Sequence, residues 1–123
     1  MRRAVLISCL LLGFAAPAGA QAPQPPYDAQ LLRLSELMGA LHYLRGLCQA
    51  PDAPAWRAKM NALIASEGID EPGRARYAGA FNRGYRTFRL TYRTCNEAAI
   101  ETVKAYLDEG GKIARDLRSR YAN

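Results

Sequence analysis

Apolar positions along the chain fall into four blocks, each with the three-to-four-residue spacing of a helix buried on one side. In the first, Leu34, Leu37, Met38, Leu41, Leu44 and Cys48 line one face, with Leu31, His42 and Arg45 at its edge. It opens near Tyr27–Asp28, where Asp28 serves as cap or first-turn acid. It closes by Ala50–Pro51, because the residue before a proline is pushed out of helical conformation. A shorter block carries Trp56, Met60, Leu63 and Ile64, opened by Asp52-Ala53-Pro54 and stopped by Gly68.

The third block repeats that opening at Asp70-Glu71-Pro72. Within it, Tyr77, Phe81, Tyr85, Phe88 and Tyr92 fall in a sector of about 80° at 100° per residue. Arg76, Arg83, Arg86, Arg89 and Arg93 fall on the other side, and no acid occurs between Arg74 and Arg93. Thr94-Cys95-Asn96-Glu97 has the spacing of a capping box and marks the start of a fourth helix. That helix lines up Ile100, Val103, Leu107, Gly110, Ala114, Leu117 and Tyr121 on one face. Gly110-Gly111 in its middle costs about 1 kcal/mol of helix propensity per residue, which calls for a close helix contact or a kink. No stretch alternates with the period of a strand. The expected fold is all-α, a small bundle of about four helices.

The amino terminus adds a destination. Met1-Arg2-Arg3, an apolar run of about 11 residues and small residues at Ala18 and Ala20 describe a secretory signal peptide cut after Ala20. The run is far short of the ~20 residues that span a bilayer, and no later stretch is apolar enough, so no transmembrane span is expected. Leu6-Ile7-Ser8-Cys9 resembles a lipid-attachment box only superficially. Residues 1–20 are therefore read as signal peptide, 21–26 as a proline-rich leader and 27–123 as a single helical domain, exported to a periplasm. Losing Arg2 and Arg3 would lower the net charge from +6 to +4 and leave arginine well ahead of lysine. Cys48 and Cys95 would be the only cysteines left. In an oxidising compartment they pair most simply with each other, joining the ends of helices one and three.

Composition removes most chemistries. The sole histidine, His42, leaves no partner for a zinc site, and no Cys-x-x-Cys-His attaches haem. Neither a metal nor another cofactor is expected. No nucleophile stands in a motif that would activate it, and Asp70-Glu71 and Asp108-Glu109 pair only in sequence. No catalytic residue is assigned. The arginine side remains, able to grip carboxylates or phosphates through forked hydrogen bonds, or else simply solvated. Export disfavours nucleic acid as its partner. Three tyrosines on the aromatic side suggest that its rim reaches water, where a groove or a homodimer contact could form.

Leu37–Cys48, Ala55-Trp56-Arg57 and Phe81–Cys95 are similar to a family of short exported alphaproteobacterial proteins catalogued as a domain of unknown function. The resemblance implies a bacterial envelope protein and no activity. It makes His42, Arg45, Trp56, Asn82, Arg83, Tyr85 and Arg86 the positions to test. The leading expectation is a non-enzymatic module presenting His42, Arg45, Asn82, Arg83, Tyr85 and Arg86 to an envelope protein or an anionic cell-wall or lipid component. One alternative is a small cell-wall enzyme, or its regulatory subunit, with His42 as base. Another is a purely structural scaffold or dimer.

Overall fold

A computed structural model of the chain describes Gly19 and Pro23–Tyr121. The expected signal peptide, Gly19 apart, and the first two leader residues lie outside the described residues. Four helices follow in order: α1 (Asp28–Leu47), α2 (Ala53–Ser66), α3 (Glu71–Thr91) and α4 (Glu97–Tyr121). Among the described residues there is no strand.

The bundle is built around α1. That helix packs against each of the other three, α2 touches α3 only lightly, and α4 meets the backbone of the rest through α1 alone. A helix packed by three neighbours cannot bury a single stripe. Accordingly Leu31, Leu37, Met38, Leu41 and Leu44 are buried together with Ser35, Gly39 and Ala40. Leu31 therefore belongs to the core and not, as its angle suggested, to the edge. One apolar cluster joins Leu31, Met38, Met60, Tyr77 and Phe81. A second joins Leu41, Leu44, Ala99 and Val103.

The tightest contact is the crossing of α1 and α3. A Cβ placed on Gly39 would lie 1.9 Å from the Phe81 carbonyl oxygen, and one on Gly84 would lie 2.0 Å from that of Glu36. The two backbones meet where neither residue has a side chain. The close approach expected of Gly110 and Gly111 is thus made elsewhere. A Cβ on Gly110 would meet only Leu34 and Leu37 methyls at 3.7 and 3.9 Å, an ordinary contact.

The ends of the helices are set locally. After α1, Gln49 takes a left-handed φ of 55° while its N–H and that of Ala50 bond back to the Gly46 and Arg45 carbonyls. This is the Schellman geometry, so α1 is ended by its own cap at Leu47, four residues before Pro51. Gly68, at φ 58°, follows α2 as expected. Asp70 caps α3 by accepting from the Gly73 N–H at 2.9 Å. For α4 the cap is Asn96, whose side chain accepts from the Ala99 N–H at 2.9 Å, and not the expected Thr94. Helix α3 itself ends at Thr91, so Arg93 and Cys95 lie beyond it.

Cys48 and Cys95 form the disulfide, with Cα atoms 5.0 Å apart. It ties the end of α1 to the turn between α3 and α4. Along the other side, Arg33 forks onto Glu109 with bonds of 2.7 and 2.9 Å, and Gln30 donates to Asp116 at 2.6 Å. The apolar line of α4 is correspondingly rotated: Ala99 and Val103 are buried, whereas Ile100 and Leu107 are exposed.

At the opposite end Asp28 is buried and accepts from the Tyr77 hydroxyl at 2.5 Å and from Arg76. The leader joins this node. Oriented by its partners, the Gln24 amide donates to Asp28 at 3.3 Å and accepts from Arg76 at 3.2 Å. Burial on its own would raise the Asp28 carboxyl pKa. The Tyr77 and Arg76 hydrogen bonds and the guanidinium charge outweigh it and hold the group below its ordinary value. The folded chain then binds this proton less readily than the unfolded chain. Its contribution is complete above the unfolded carboxylate range and drains as pH falls through the lower folded value. Asp28→Asn is expected to cost about 1–2 kcal/mol at neutral pH. It should also flatten the acid limb of Tm against pH. Asp52 and Glu109, lowered by Arg45 and Arg33 respectively, supply the residual slope. An acid limb as steep as that of the unaltered protein would contradict this role for Asp28.

Candidate functional site

Because α2 barely touches α3, a cleft opens between them with α1 at its base. His42 comes from α1, and Ala53, Pro54 and Arg57 come from the start of α2. Asn82, Tyr85, Arg86 and Arg89 lie on successive turns of α3.

The upper part is an open basin of about 310 Å³ lined by His42, Tyr43, Ala53, Pro54 and Tyr85. The His42 ring lies 5.6 Å from that of Tyr85 and 5.8 Å from that of Phe81. Its Nδ1 is 2.8 Å from the Ala53 carbonyl oxygen. A carbonyl can only accept, so Nδ1 carries the proton and donates. Among the described residues no carboxylate is hydrogen-bonded to His42, and the Ala53 carbonyl fixes the tautomer that leaves Nε2 as the accepting nitrogen. Tyr43 stands edge-on to Tyr85 at 5.4 Å and donates its hydroxyl to the Tyr92 carbonyl at 2.5 Å, which fixes the aromatic wall.

Further along, a crevice of about 110 Å³ runs between Arg57, Asn61 and Met60 on α2 and Ala78, Phe81 and Asn82 on α3. The Arg57 guanidinium sits 5.2 Å from the Phe81 ring centroid. On the helical wheel Asn82, Arg86 and Arg89 fall within about 60° of one another, and Arg83 lies about 60° beyond Arg86. All four are exposed. Ion pairs among the described residues engage Arg33, Arg45, Arg74, Arg76 and Arg120, and none involves Arg57, Arg83, Arg86, Arg89 or Arg93.

The residues singled out from the sequence are thus divided in space. His42 and Tyr85 meet in the basin, with Asn82 on the neighbouring crevice and Arg86 above both. Arg83 shares a helix face with the exposed Leu90, seven residues on, and not with Tyr85. Arg45 holds Asp52 at 2.8 Å and secures the turn between α1 and α2. Of the expected aromatic stripe, Tyr77 and Phe81 are buried while Tyr85, Phe88 and Tyr92 are half-buried, so its carboxyl-terminal half forms a rim. The Tyr92 hydroxyl pairs with Thr102 at 3.0 Å, and Phe88 packs edge-on against Tyr106 at 5.2 Å, joining that rim to α4. Arg57, Asn61 and Tyr43 are not among the site residues expected from the sequence. The spacing of Arg57 and Asn61 by one helical turn was their available signal.

Among the described residues no cluster of His, Cys, Asp and Glu could hold a metal ion, and no helix is long and apolar enough to cross a membrane. Fold and cleft together define a small disulfide-tied helical protein with a cationic, aromatic-rimmed surface. The chain belongs to the family described as Protein of unknown function (DUF2385), whose model matches residues 26–121. Comparison with curated proteins and with solved structures finds no match.

Proposed function

We propose that this protein is a non-enzymatic binding module of the bacterial cell envelope that holds an anionic polymer or an acidic protein patch. The docking surface is the α2–α3 cleft and the arginine side of α3. The observation that carries this reading is the set Arg57, Arg83, Arg86 and Arg89, exposed and without ion pairs among the described residues. Elsewhere among the described residues Arg33, Arg45, Arg74, Arg76 and Arg120 each hold an acid, whereas Arg93, Arg115 and Arg118 do not. On α3, Arg86 and Arg89 fall within about 60° of the Asn82 amide, and forked donors beside an amide are a combination suited to planar carboxylates. The amino-terminal sequence and the disulfide support an oxidising, extracytoplasmic setting.

A photocrosslinking residue at Asn82 in living cells tests the surface. One dominant adduct, absent when the crosslinker replaces Glu101 on the outer side of α4, is the expected result. Equal capture from both positions would count against a dedicated surface.

A further inference from the structure

A second opening lies across the molecule from the arginine side. The backbones of α2 and α4 do not approach one another, and between the two helices runs an open groove of about 330 Å³. Leu34 forms its floor, Trp56 and Lys59 its α2 wall, and Leu107, Gly110 and Gly111 its α4 wall. The volume lies at the lower end of the ~300–1,000 Å³ usual for small-molecule sites, and the lining is apolar as such sites require.

The glycines make this groove more than a packing gap. Two glycines in mid-helix are costly, and nothing in the fold demands them. At Gly110 a methyl would meet only ordinary contacts, and at Gly111 only the mobile end of Arg115 at 3.3 Å. Their effect is to keep the α4 wall thin. Lys59 is the one charged residue of the lining. Its ammonium lies 5.9 Å from the Trp56 ring centroid, and no ion pair among the described residues engages it.

From the open apolar channel and the unpaired ammonium at its edge, we infer that the groove binds a single-chain carboxylate amphiphile of the fatty-acid type. The alkyl chain lies along Leu34 and the two glycines, and the carboxylate meets Lys59. One lysine is a point charge suited to a monoanion, whereas a phosphate headgroup calls for several donors or an arginine fork. This binding is separate from the arginine surface and stands or falls independently of it.

Trp56 is the only tryptophan in the chain, so its fluorescence reports the groove directly. Dodecanoate, kept below its micelle-forming concentration, should shift the emission saturably. Dodecyltrimethylammonium, with the same chain and opposite charge, should bind more weakly. The double variant Gly110→Ala/Gly111→Ala should keep or raise Tm, because alanine favours the helix, yet lose at least about fivefold in dodecanoate affinity. Lys59→Glu should leave Tm in place and reverse the preference between the two amphiphiles. Saturable binding unchanged by the alanines would overturn the inference. So would absence of a saturable shift, or a groove already filled by a second copy, seen as a dimer in sedimentation equilibrium.

Discussion

Gly39→Ala is expected to destabilise the protein by about 3 kcal/mol or more, the upper range for overpacking a closed contact. The added methyl would stand 1.9 Å from the Phe81 carbonyl oxygen, on backbone that cannot swing aside. Relief requires α1 and α3 to separate, which loosens Tyr77 and Phe81 against Leu31 and Met38. Alanine's better helix propensity returns only about 1 kcal/mol, so the steric term wins. Gly84→Ala should behave alike, with the Glu36 carbonyl oxygen 2.0 Å from the new methyl. Gly79 supplies the control on the same helix, because nothing lies within 4 Å of its would-be Cβ. Gly79→Ala should stabilise by about 0.5–1 kcal/mol. Urea midpoints of the three variants decide the matter, and a Gly39→Ala variant as stable as Gly79→Ala would refute the crossing.

Loss of the Cys48–Cys95 bond is the next largest expected effect. The bridge spans a sequence separation of 47 residues, for which constraint of the unfolded chain gives about 4 kcal/mol as an upper figure. Cys48→Ser/Cys95→Ser should therefore lose about 2–4 kcal/mol. The damage should be uneven. Helix α4 meets the other helices' backbone through α1 alone, and the disulfide lies two residues before its start. Amide exchange should accelerate first in the amino-terminal half of α4, around Ala99 and Val103. The carboxyl-terminal half keeps the Arg33–Glu109 and Gln30–Asp116 bonds to α1. Uniform acceleration across all four helices would argue that the bridge acts only on the unfolded chain.

The sequence was most readable where a side chain's chemistry acts locally. Apolar spacing located all four helices, Asp70 and Gly68 announced their ends, and the two thiols announced the tie between them. It was least readable where the outcome depends on which helix lies next. Periodicity assigns one buried stripe per helix, so it could not show that α1 is enclosed by three partners and buries Ser35, Gly39 and Ala40 as well. The true crossing was nonetheless written in small residues one turn apart, Ser35 with Gly39 and Ala80 with Gly84. The conspicuous Gly110-Gly111 pair drew attention away from them. Capping failed for a similar reason, since Thr94 and Asn96 both qualify by type and only the path of the chain into α4 selects Asn96. Of the candidate surface, the arginine side followed from helix angle, whereas the meeting of His42 with Tyr85 depends on how α1 and α3 pack. The α2 contribution through Arg57 required the distance between helices, which no single-helix pattern contains.

The central functional claim is that charge on the free side of α3 holds the partner. Its most direct test is a binding isotherm of the disulfide-bonded protein on purified cell-wall fragments across a salt series, beside the Arg83→Ala/Arg86→Ala variant. Binding that weakens with salt and drops at least about tenfold in the variant is the predicted result. Binding of equal strength in the two proteins at every salt concentration would contradict it.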